Sequence, residues 1–99
     1  MNKLVTVEPN RDNWRDFCEE PALTEAEVQR WYSVCAILRE DHELAERIMD
    51  ATADEHAATT GIKRTSDWND VVQSADAHRR LKRATLKAMD SALEQLELL

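Results

Sequence analysis

Apolar residues recur every three or four positions across two long stretches, 22–60 and 62–99, and the only glycine in the chain, Gly61, lies between them. This spacing places the apolar side chains of a helix on one face. In the first stretch Val28, Trp31, Cys35, Leu38, Ala45 and Met49 share such a face, widened by Val34, Ile37, Leu44 and Ile48. In the second the face comprises Trp68, Val71, Val72, Ala75, Leu81, Leu86, Met89, Ala92, Leu93 and Leu96, and it narrows around residues 78–82. The pattern predicts an all-α protein in which a short N-terminal helix precedes a long antiparallel helical hairpin, the whole forming an oligomeric bundle.

Local signals set the boundaries. Residues 1–9 read as an extended arm, since Leu4, Val5, Thr6 and Val7 favour strands but have no second strand to pair with. Residues 10–20 read as a short helix capped by Asn10 and ended by Pro21, with Trp14, Phe17 and Cys18 on one face as a lid. Thr24 followed by Glu27 has capping-box spacing, and Leu23 with Val28 forms the matching hydrophobic staple. A long helix over 24–60 is therefore expected. Asp41 and Thr52 can each cap a new segment, which makes either one a place for a kink or break. Gly61 suits the left-handed position after a helix. Thr65 or Ser66 caps the last helix, 66–98, with Asp67 and Asp70 in its first turn. The 99 residues make a single domain.

Composition narrows the chemistry. The net charge is −7, and residues 1–60 hold six basic and fourteen acidic side chains against seven and six in residues 61–99. An acidic chain is repelled by nucleic acid and anionic lipid, so direct nucleic-acid binding is disfavoured and a basic protein partner is favoured. No window is apolar for long enough to span a membrane, and the first six residues lack a signal-peptide pattern, so the expected location is cytoplasmic. Cys18 and Cys35 fit no zinc or redox spacing and read as reduced, buried, small hydrophobes. A lone glycine leaves no glycine-rich phosphate loop, and no nucleophile motif is present.

Three groups remain as candidates for function. The carboxylates Glu40, Glu43, Glu46, Asp50 and Asp54 form an acidic ridge, in which Glu46, Asp50 and Asp54 recur every four residues. Such spacing stacks them about 6 Å apart along one side of a helix, and Arg39 and Arg47 are each placed to pair with Glu43. The ridge reads as a contact surface for a basic, nucleic-acid-binding protein, which this chain would inhibit or regulate without catalysis. The same carboxylates could serve a metal-dependent all-α hydrolase, with His42 or His56 on the apolar face as a further ligand; only the Glu43-x-x-Glu46 half of such a set is present, and no metal or cofactor is expected. The third group is a basic cluster in the last helix, Arg79, Arg80, Arg83 and Lys87, flanked by Lys82. It could contact DNA, but it lacks a helix-turn-helix signature. Pairing with Asp76, Asp90 or the acidic ridge is the simpler expectation. Trp14, Trp31 and Trp68 read as core anchors.

Overall fold

The computed structural model describes residues 7–62 and 67–97. Among them are a short 3-10 helix, Trp14–Phe17, and four α-helices: α1 (Glu25–Glu40), α2 (His42–Ala51), α3 (Ala53–Thr60) and α4 (Trp68–Glu97). The described residues contain no strand. Residues 1–6 of the expected arm over 1–9, the 63–66 connection with its Thr65 or Ser66 cap, and Leu98 and Leu99 lie outside the described residues, and residues 7–9 form no helix or strand.

The expected helix over 10–20 is confined to one 3-10 turn. Asn10 does not cap it: its Oδ1 accepts from the backbone N–H of Asp12 and Asn13 in an Asx-type turn, and the helix has Asn13 at its N-cap with no side-chain cap bond. That geometry serves a tight turn rather than a propagating α-helix. Helix α1 begins behind the complete capping box: the Thr24 hydroxyl accepts from the Glu27 N–H at 3.1 Å, and the Glu27 carboxylate accepts from the Thr24 N–H at 2.9 Å.

Residues 24–60 are not one helix but three. At Asp41 the backbone leaves the helical region (φ −121°, ψ 95°), and its carboxylate caps α2 through the Leu44 N–H at 3.0 Å. A single extended residue turns the chain sharply. The α1 side chains Glu27 and Arg30 pair with Arg83 and Asp90, so α1 runs parallel to α4. Arg47 then meets Gln95, while Glu55 lines the same groove as Ala84 and Lys87 further back along α4, so α2 and α3 run antiparallel to it. The second break, at Thr52, is milder. The Thr52 side chain caps nothing; its hydroxyl donates back to the Ile48 carbonyl at 2.8 Å, a bond that bends helices. Gly61 is right-handed (φ −75°, ψ −10°) rather than left-handed, so no glycine-specific conformation is used there. Helix α4 starts at Trp68, with the Asp67 carboxylate accepting from the Asn69 N–H.

The core lies where α1, α2 and the C-terminal half of α4 meet. Val34, Leu44, Ile48, Leu86, Met89 and Ala92 are buried there, with Leu38 and Ala88 packed against them. Met49, read from a continuous helical wheel as a core residue, is 56 % exposed, and Ile37 is also exposed. The chain reversal at Asp41 gives α2 a different inward face. The three tryptophans are half-buried rather than deep anchors, as are both free cysteines. The molecule is long and thin, 64 × 26 × 18 Å with a radius of gyration of 17.0 Å. A compact chain of this length would have a radius of about 13 Å.

Candidate functional site

The acidic ridge is solvent-facing throughout: Glu40, Glu43, Glu46, Asp50 and Asp54 are all exposed. The helix breaks divide it among three elements. Glu40 ends α1; Glu43, Glu46 and Asp50 share the side of α2 opposite Leu44 and Ile48; Asp54 opens α3. Among the described residues only Glu46 has a side-chain partner, the imidazole Nε2 of His42 at 3.2 Å one helical turn away. The expected pairing of Arg47 with Glu43 is replaced by a 2.9 Å hydrogen bond from Arg47 to the Gln95 side-chain oxygen. Glu43, Asp50 and Asp54 thus face water without a cationic partner among the described residues. Asp54 lies at the N-terminal turn of α3, where negative charge is favoured by the helix dipole.

The histidines are less available to a buried site than their helical phase predicts. His42 was expected on the apolar face, but its side chain is 89 % exposed because the Asp41 turn places it at the start of α2. His56 is half-buried on α3. His78 is exposed and its Nδ1 lies 2.7 Å from the Ser74 carbonyl oxygen. Among the described residues no three His, Cys, Asp or Glu side chains converge as a metal-binding set.

The basic cluster has a structural task. Arg79 donates to the Glu20 carbonyl at 2.7 Å. Arg83 donates to the carbonyls of Pro21 (2.7 Å) and Ala22 (3.1 Å) and to both carboxylate oxygens of Glu27. Arg80 and Arg83 also face Glu20. The arginines therefore meet Glu20 and Glu27, not the acidic ridge. Asp76 and Asp90, read as local partners on α4 itself, are turned elsewhere. Asp90 pairs with Arg30 across to α1. Asp76, buried to 6 % exposure, accepts the backbone N–H groups of Glu19 (3.1 Å) and Glu20 (3.0 Å). Together Asp76, Arg79 and Arg83 satisfy the unpaired backbone of residues 19–22 and fasten that segment to α4. Lys87 stays exposed, and Lys82 lies over the Trp31 ring at 5.7 Å. The sequence signal for this clasp was the polar stripe 76, 79, 83 at helical spacing, where the apolar face of α4 narrows.

Electrostatics follow from that geometry. The hydrogen bonds from Arg83, aided by the Thr24 N–H, lower the Glu27 pKa from 4.5 to about 2. In turn Glu27 raises the Arg83 pKa.

Comparison with protein families, with characterised proteins and with solved structures returns no match for this chain.

Proposed function

We propose that the chain is a non-catalytic interaction module that presents the exposed carboxylates of α2, with Glu40 and Asp54 at its flanks, to a basic protein partner and regulates that partner. The observation that supports this reading is a row of exposed acidic side chains that, among the described residues, pairs with no arginine or lysine. Arg47 is tied to Gln95, and the arginines of α4 are held by the N-terminal segment. Like charges placed this close are mildly destabilising on a helix, so their concentration on one face is better suited to recognition than to stability. A cationic surface that itself grips nucleic acid, about one charge per few ångströms, has the matching charge density.

The chain also self-associates in this reading. Its elongated shape leaves Ile37, Leu93 and Leu96 exposed, and a second copy would complete a helical bundle in which α2–α3 and α4 form an antiparallel hairpin.

Reversing two charges tests the acidic face. Glu46→Lys with Asp50→Lys is expected to abolish salt-sensitive partner binding while circular dichroism stays helical. Binding that is unchanged in the double variant refutes the proposal.

A further inference from the structure

Between α2–α3 and α4 runs an open groove of about 460 Å³. Its α2–α3 wall carries Arg47, Ala51 and Glu55, and its α4 wall carries Lys87, Ala88 and Ser91. Ala51, Ala88 and Ser91 give the groove small side chains on both walls, beside the larger Ile48, and its charges are those of Arg47, Glu55 and Lys87. Alanine and serine at a helix contact allow close axial approach, near the lower end of the usual 8–10 Å. Among the described residues no buried side-chain polar atom lacks a hydrogen-bond partner, so the groove offers a shape rather than a set of waiting donors for a small ligand.

The charge order along the wall selects the occupant. Arg47, Ala51 and Glu55 follow one another at intervals of four residues, positive, neutral, negative. Rotation of a second copy by half a turn about an axis through Ala51 lays α2–α3 antiparallel on itself. Arg47 then meets Glu55 of the second copy, and Glu55 meets its Arg47. The α4 wall is compatible with that operation, since Ala84, Ala88, Ser91 and Gln95 are neutral and only Lys87 carries a charge outside the reciprocal pairs. An isologous twofold contact requires this self-complementarity of one patch. We infer that the α2–α3/α4 groove is the homodimer interface, closed by reciprocal Arg47–Glu55 ion pairs around a small-residue centre. The inference rests on the self-association reading above and places the contact in this groove rather than on the exposed Ile37, Leu93 and Leu96, none of which lines it. It leaves Glu46 and Asp50 of the acidic face free, since neither lines the groove, and pairing two copies doubles that face.

Sedimentation equilibrium on the full chain tests it. The wild type is expected to be a dimer. Arg47→Glu alone and Glu55→Arg alone each place like charges across the interface and weaken dimerisation about tenfold or more. The double variant, with the charges exchanged, recovers wild-type association, a pattern that simple misfolding cannot give. A dimer whose affinity neither single variant changes overturns the groove assignment while leaving self-association standing. A wild type that stays monomeric overturns both. As an independent readout, Ala51→Cys in a Cys18→Ser, Cys35→Ser background is expected to form a disulfide-linked dimer on oxidation, because the twofold axis brings residue 51 close to its own copy. Failure of that cross-link under oxidant overturns the placement of the axis.

Discussion

Arg83 donates to two carbonyl oxygens and to the Glu27 carboxylate, so one guanidinium joins α4, the segment before α1 and the first turn of α1. A planar fork with five donors suits that task in a way a lysine ammonium does not. Since Glu27 titrates near 2 in the fold and near 4.5 in the open chain, its stabilisation is present above pH 4.5 and is lost as pH falls towards 2. Glu27→Gln should flatten the pH dependence of Tm across that window, measured by thermal melts in acid. Asp76 allows a second test. Asp76→Ala leaves the N–H groups of Glu19 and Glu20 without their acceptor, which should cost about 1–3 kcal/mol in urea unfolding. The Thr24–Glu27 capping box was legible in the sequence because all its partners lie within four residues. The Arg83 fork was not, because it joins residues far apart in the chain whose meeting depends on how α1 lies along α4.

The elements show the same division between local and long-range information. Helix α4 and the start of α1 follow from periodicity and capping. Asp41 and Thr52 both carry cap chemistry, and both mark breaks, but by different physics: Asp41 accepts the Leu44 N–H and turns the chain, whereas Thr52 back-bonds and only kinks it. A helical wheel run through residue 41 keeps its phase, which is why Met49 was assigned inward and is not. No property of Asp41 alone states how far the chain will turn; that depends on the α4 surface against which Leu44 and Ile48 pack. Gly61 suits a left-handed position by its sequence context, yet it is right-handed, and a Cβ there would meet the Ala57 carbonyl oxygen at 3.4 Å, an ordinary contact. Gly61→Ala should therefore stabilise the protein, by about 0.4–1 kcal/mol in denaturant titration, through a less flexible unfolded chain.

On the scale of the whole molecule, a thin body leaves little interior to share. Met89, 1 % exposed at the centre of the cluster, is its most deeply placed large side chain. Met89→Ala should cost about 2–5 kcal/mol, a loss readable as a lowered denaturation midpoint and one that a core of this size would absorb poorly. The all-helical architecture and the outward acidic face were readable from apolar spacing and charge. The way three short helices fold around one long one was not, because it hangs on a single extended residue. That residue has a consequence of its own. Asp41→Ala removes the α2 cap and supplies the best helix former, so α1 and α2 can fuse into one rod about 40 Å long. The fused rod can no longer bring Val34 and Ile48 to the same α4, and each arm must find its complement on a neighbour. Concentrated Asp41→Ala protein should therefore accumulate as an intertwined, domain-swapped species that dissociates only through unfolding.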